Sequence, residues 1–210
     1  MRELIQNGAK LNNGPGAMKD AVAWADVKVV QIIWDAVNAN LSDTDELLDL
    51  MGCATYTGNL RILQFLLEKG VDINFIDSTG NTPFDYAIFD EFRYNGMEIV
   101  RWLIRHGAIP MEIQSPLCYV IAEYHDLAKR MQMSRVLLTN QSFVNQVDEN
   151  GKTPLLVAVE REDLPLIRML LDHGADGYQA DLLGQTPMNR ATIWKQTDIV
   201  KLLHDHGLRQ

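Results

Sequence analysis

Asp148-Glu149-Asn150-Gly151-Lys152-Thr153-Pro154-Leu155 and Asp181-Leu182-Leu183-Gly184-Gln185-Thr186-Pro187-Met188 decide the fold of this 210-residue chain. The two stretches share one plan and stand 33 residues apart. An earlier copy reads Asp77-Ser78-Thr79-Gly80-Asn81-Thr82-Pro83-Phe84, and Ser115-Pro116-Leu117 follows Thr82 at the same interval. Counting back from Thr82 reaches Asp49 and then Gly16. The anchors are then 16, 49, 82, 115, 153 and 186, with steps of 33, 33, 33, 38 and 33. A fixed period of this length marks an array of stacked units.

Neighbouring positions keep the same register. Two residues past each anchor stands a large apolar residue: Met18, Met51, Phe84, Leu117, Leu155 and Met188. Five past it stands a small or branched one: Ala21, Ala54, Ala87, Val120, Ala158 and Ala191. A second apolar stripe then runs to a glycine, as in Ile62 to Gly70, Ile99 to Gly107, Leu166 to Gly174 and Ile199 to Gly207. Its spacing of three and four is helical.

Each element has a physical cause. Asp-x-x-Gly is a turn, because Asp bonds its own backbone and Gly accepts positive φ. Thr-Pro opens a helix, since the hydroxyl accepts from an orphan N–H and Pro sits where a missing donor costs nothing. The glycine closes the second helix in a left-handed conformation. No unit buries its own apolar faces, so the units must stack.

The sequence resembles the ankyrin-repeat family, through Asp148 to Ala158, Leu170-Leu171-Asp172-His173-Gly174-Ala175-Asp176 and the return loop Lys69-Gly70-Val71-Asp72-Ile73-Asn74. The resemblance implies an all-α solenoid of about six helix-turn-helix repeats with β-turn loops. It implies one domain over 1–210, with a partial repeat at 1–13 and repeats at 14–43, 44–76, 77–110, 111–147, 148–180 and 181–210. Residues 1–13 read as the closing half of a repeat, either a cap or the remainder of a missing start. The family's His three residues past the Thr is replaced by Asp85, Cys118, Leu156 and Asn189, so the inter-repeat hydrogen bonds must differ. Insertions between helices are expected at Glu91 to Asn95 and at His125 to Arg130. Asn74 falls where the family's Asn can be hydroxylated.

Nineteen Lys and Arg against 28 Asp and Glu leave a net charge of −9, with no basic stripe to attract nucleic acid. No apolar run is long enough for a membrane span, and the first residues are too polar for a secretory signal. Two cysteines make no disulfide framework. A soluble cytoplasmic monomer is expected, with no cofactor and no metal.

His106, His173 and His206 each precede a helix-ending glycine, where a donor-bearing side chain suits the helix C-terminus. The run His204-Asp205-His206 invites a metal, but His204 falls where other repeats place a second-helix leucine expected to be buried. Cys53 and Cys118 lack the flanking groups of an activated thiol and are expected to be free. No phosphate loop or catalytic signature occurs, so the chain is expected not to be an enzyme.

The informative positions lie seven and eight residues past each anchor: Ala23-Trp24, Tyr56-Thr57, Phe89-Asp90, Ala122-Glu123, Glu160-Arg161 and Ile193-Trp194. The resemblance places them on the concave groove, where stacking does not demand apolar residues. The expected function is therefore protein–protein interaction. The expected binding residues are Tyr56, Phe89 and Asp90, the turn tips Ser78, Thr79 and Asn81, and the outlying Trp24 and Trp194. Two alternatives stand beside it. One is a regulatory or targeting fragment of a larger enzyme. The other is a bacterial effector or inhibitor that sequesters a toxin or host protein.

Overall fold

The computed structural model describes residue 22 and residues 27–37, 44–77, 79–89 and 96–209. Every regular element among the described residues is helical. The chain forms two compact units, Met1–Glu112 and Ile113–Gln210.

The first unit contains α1 (Val27–Val37), α2 (Thr44–Thr57), α3 (Leu60–Glu68), α4 (Pro83–Ile88) and α5 (Gly96–Arg105). Helix α2 packs on α3 and on α4, α4 packs on α5, and α1 packs on α3. First helices thus contact their own second helix and the first helix of the next repeat. The second unit contains α6 (Pro116–Glu123), α7 (Leu127–Leu137), a short 3₁₀ turn at Gln141–Phe143, α8 (Pro154–Glu160), α9 (Leu164–Asp172), α10 (Pro187–Ile193) and α11 (Thr197–Asp205). The same pattern recurs: α6 on α7 and α8, α8 on α9 and α10, α10 on α11.

The repeat register explains the cores. Met51, Phe84, Leu117, Leu155 and Met188 are buried, as are Ala54, Ala87, Val120, Ala158 and Ala191. The small side chains let two helices approach closely at that point, and a larger one would overpack it. Second helices bury Ile62, Leu63 and Leu66; Ile99, Val100 and Leu103; Leu166, Ile167 and Leu170; and Ile199, Leu202 and Leu203. Met18 and Ala21 lie outside the described residues.

Turns and caps follow the expected chemistry. The hydroxyls of Thr82, Ser115, Thr153 and Thr186 accept the N–H of Asp85, Cys118, Leu156 and Asn189 at 3.2–3.4 Å, each with Pro opening the helix. Asp148 Oδ1 accepts from the N–H groups of Asn150 and Lys152, both at 2.9 Å, and Gly151 turns at φ +73°. That glycine has a second reason: a Cβ there would sit 3.0 Å from the backbone nitrogen of Leu182. Gly70, Gly107, Gly174 and Gly207 end their helices at φ +77° to +88°. His106, His173 and His206 place Nδ1 2.8–2.9 Å from the carbonyls of Trp102, Met169 and Leu202, each four residues back. Repetition accounts for all three.

Two expectations need correction. His125 to Arg130 is not a loop insertion: Asp126 caps α7 at the N–H of Lys129, and Leu127 to Arg130 form its first turn. The five extra residues are absorbed by an 11-residue α7, against nine in α9, and by the added 3₁₀ turn in the return loop. His204 does not replace a buried leucine. Its counterparts Leu67, Ile104 and Leu171 are only half-buried, and His204 is exposed, because the fully buried position is one residue earlier. The Glu91–Asn95 insertion lies outside the described residues.

Candidate protein-binding surface

Among the described residues, positions seven and eight past each anchor fall at the C-terminal ends of the first helices α2, α4, α6, α8 and α10 or at their caps. Tyr56, in the last turn of α2, is 63% exposed, and Phe89, capping α4, is 37% exposed. In the second unit Glu123 and Arg161 are exposed, Ala122 and Glu160 half-buried, and Ile193 and Trp194 exposed. Large apolar side chains therefore stand in solvent at positions where helix packing does not require them, a pattern of interaction surfaces. Trp24, Asp90 and Ser78 lie outside the described residues.

The turn before α4 is braced by its own side chains. Asp77 Oδ1 accepts from the Thr79 N–H at 2.8 Å, the Asn81 N–H at 3.1 Å and the Thr79 hydroxyl at 2.6 Å. The Tyr86 hydroxyl donates to the other carboxylate oxygen of Asp77, and Asn81 Nδ2 donates to Thr79 Oγ1 at 2.8 Å. Partial burial pulls the Asp77 carboxyl upward, but the bonds from Thr79, Tyr86 and Asn81 outweigh it and hold the group below its ordinary value. Burial and then the Asp77 partner push the Tyr86 phenol up. Thr79 and Asn81 thus stand on a tip fixed before any partner arrives, which lowers the ordering cost of binding.

The next turn is pinned against this one. Asp85 is fully buried, and its Oδ2 accepts from the Thr82 N–H (2.9 Å) and hydroxyl (2.8 Å) and from the N–H groups of Met111 (3.1 Å) and Glu112 (3.3 Å). A carboxylate here fills the role of the missing His: it is acceptor-only and gathers donors from two repeats. Asn74 adds a second clamp, accepting from the Ile109 N–H at 2.8 Å and donating to the Gly107 carbonyl at 3.3 Å. In the second unit the buried Cys118 thiol points at the Lys152 carbonyl, 3.3 Å away, and burial pushes its pKa up to about 12. It is an inert packing group.

The first helices and turns of the second unit carry a charge network of both signs. Glu160 meets Lys152 at 2.8 Å and Arg190 at 3.3 Å; Arg190 also reaches Asp181 at 3.4 Å and lies 5.1 Å from the Trp194 ring centre. Arg190 occupies the slot of Tyr86, four past the anchor, and each tethers the Asp of its own turn. Trp194 is therefore half-covered by a fixed guanidinium and does not stand alone.

Sequence reasoning missed four features. Leu182 and Leu183 stand at a turn tip, 77% and 80% exposed. Their signal was the pair of leucines in a slot that holds Ser78-Thr79 and Glu149-Asn150 elsewhere. Ile76, Ile109 and Met111 are each about half exposed on the pinned turns of the first unit. Arg130 is buried in α7 and bonds Asp163 through Nε (3.1 Å) and Nη2 (2.8 Å) and the Tyr124 carbonyl through Nη1 (3.0 Å). Its 33-residue offset from Asp163 was legible; its burial was not. The last is an open cleft of about 710 Å³ on the second helices of the second unit. It is lined by Arg135, Arg168 and Lys201 against Asp172, Asp198 and Asp205, a mixture with no preference for one charge. No cluster of three metal-ligating side chains occurs among the described residues, and no described helix is long and apolar enough to cross a membrane.

Comparison with known proteins agrees with this architecture. A family model of ankyrin repeats, three copies, matches residues 20–114 and again 117–210. A putative ankyrin repeat-containing protein of Treponema pallidum is 31% identical over 122 residues, covering 58% of this chain and 39% of that protein. The chain thus spans about two fifths of that relative's length. The ankyrin repeat domain of Bcl-3 superposes with a TM-score of 0.74 at 20% identity, covering 94% of this chain and 87% of that one. A chain from the complex of the Bdellovibrio bacteriovorus predatory endopeptidase Bd0816 with immunity protein Bd3460 gives 0.61 at 22% identity, covering 90% and 97%. At such identities the structures share the fold alone, while the family match spans most of the residues. The chain belongs to the ankyrin-repeat family, whose repeats are protein–protein interaction modules.

Proposed function

We propose that this chain acts without catalysis, binding one protein partner through the groove ends of α2 and α4 and the turn between α3 and α4. Tyr56 and Phe89 are the anchors, Asp90 flanks them, and Ser78, Thr79 and Asn81 form the rim; Trp24 and Trp194 lie at outlying positions of the same register. The reading is supported by the exposure of Tyr56 and Phe89 at the C-terminal ends of α2 and α4 and by a turn before α4 already locked by Asp77 and Tyr86. Aromatic anchors give large contact area at low rotamer cost, and a few such residues carry most of an interface's affinity. A reducing, cytoplasmic setting and a monomeric state complete the proposal; both cysteines are free thiols.

Tyr56→Ala with Phe89→Ala is expected to weaken capture of the cellular partner by about 2 kcal/mol or more while leaving the unfolding midpoint nearly unchanged. Glu149→Lys, on a turn of the second unit, is the control. Undiminished capture by the double variant overturns the reading.

A second reading has its own support. The chain spans 39% of its Treponema relative, which suits a binding segment of a longer protein, with any activity residing elsewhere. The mass of the native species in its source cell separates the two: a species near 23.8 kDa favours a free-standing binder, a much larger one the segment.

A further inference from the structure

Ile76, Ile109 and Met111 stand about half exposed on two adjacent turns of the first unit. The turns are held together from both sides. Asn74 bonds the backbone of Gly107 and Ile109, and the Asp85 carboxylate bonds that of Met111 and Glu112. Glu112 leans over the neighbouring tip, its Oε2 3.9 Å from where a Cβ on Gly80 would lie. Three aliphatic side chains thus sit on a braced surface.

Charge identifies what covers it. Residues 1–112 carry nine Lys and Arg against sixteen Asp and Glu, or −7, whereas residues 113–210 carry ten against twelve, or −2. Among the described residues of the first unit, Lys and Arg occur only on α1, α3 and α5 or at their ends. Arg61, Lys69, Arg101 and Arg105 belong to the second helices α3 and α5 or their ends. Residues 70–89 and 106–112 contain no Lys or Arg; besides the buried Asp85 they hold the exposed Asp72 and Glu112 and the half-buried Asp77. The turn surface of the second unit has Lys152 and Arg190 among its acids and meets that charge internally.

We infer that the turn face of the first unit takes a Lys/Arg-rich segment of its protein partner, with aliphatic side chains of that segment seated on Ile76, Ile109 and Met111. The inference rests on the proposed binding face and adds the chemistry of the partner. Opposite charge speeds encounter and excludes acidic competitors, while the apolar contacts hold the complex.

The test uses the full chain and two labelled synthetic peptides, one of Leu interleaved with Lys and one with Glu in place of every Lys, read by fluorescence anisotropy. The Lys peptide is expected to bind at least about tenfold tighter than the Glu peptide, and to weaken as salt rises. Ile109→Ser with Met111→Ser should cost about fivefold or more, with the protein still folding cooperatively because both side chains are already about half exposed. Asp72→Asn with Glu112→Gln should flatten the salt dependence; the amide oxygen that replaces the Asp72 carboxylate still accepts from the Asn74 N–H. Equal binding of the two peptides overturns the inference, as does wild-type affinity in the Ile109/Met111 variant or an unaltered salt dependence in the Asp72/Glu112 variant. If Tyr56→Ala/Phe89→Ala abolishes capture of a natural partner whose bound segment is acidic or neutral, the binding face stands and only this inference fails. If that variant captures the partner normally, the face itself fails.

Discussion

Asp85 carries the most consequential substitution in the chain. Where the family has a His that can donate and accept, this carboxylate accepts four hydrogen bonds and ties one repeat to the turn of the next. Asp85→Leu should remove the acceptor of the Met111 and Glu112 N–H groups, at about 0.5–1.5 kcal/mol for each hydrogen bond lost, and increase amide exchange through Ile109 to Glu112. Unchanged exchange there would show that the carboxylate does not hold the loop. Arg130 and Asp163 make the corresponding link in the second unit, each side chain 6% exposed. Arg130→Met leaves a buried charge unpaired and should cost about 3–5 kcal/mol. Adding Asp163→Asn should restore much of that, because an Asn side chain still caps α9 at the Leu166 N–H. Ala158→Leu tests the register itself: overpacking should cost about 1–3 kcal/mol in chemical denaturation.

At the scale of the element, the turn between α3 and α4 has a pH window set by its own bonds. Asp77 has a folded pKa below its unfolded one, so its contribution is present above the unfolded value of 3.8 and is lost as pH falls through the depressed value. Tyr86 has a raised folded pKa, so its contribution holds below 10.0 and is lost as pH climbs through that raised value. Tyr86→Phe removes the phenol donor, and carbon-detected titration should show the Asp77 carboxyl moving back toward its ordinary value. A titration identical to wild type would mean that Thr79 and Asn81 hold the carboxylate alone. Elements of this kind were readable beforehand because they obey local rules: Asp-x-x-Gly, Thr-Pro and the terminal glycine each satisfy particular backbone groups. The exposure of Tyr56, Phe89 and Trp194 followed from register. What escaped were contacts between repeats. The burial of Arg130 depends on Asp163, the inner face of Asp85 on a loop 26 residues later, and the pairing of Arg190 on Glu160. A period marks where such residues recur but not which way a long side chain turns.

Across the whole molecule the repeat cores are apolar and the net charge is unevenly shared, −7 in residues 1–112 against −2 in 113–210, and the proposed binding face puts its aromatic and aliphatic anchors on the more acidic unit. Association with the natural partner should slow as ionic strength rises, since exposed charges are screened beyond about 10 Å at ~0.1 M salt. A rate insensitive to salt would argue for a purely apolar encounter. The most direct measurement is hydrogen–deuterium exchange of the full chain with and without its captured partner. The account predicts protection in the last turn of α2 around Tyr56, in Asp77 to Asn81 and in Ile109 to Glu112, with α3 and α5 unchanged. Protection confined to α3 and α5, with those turns exchanging as in the free chain, would contradict it.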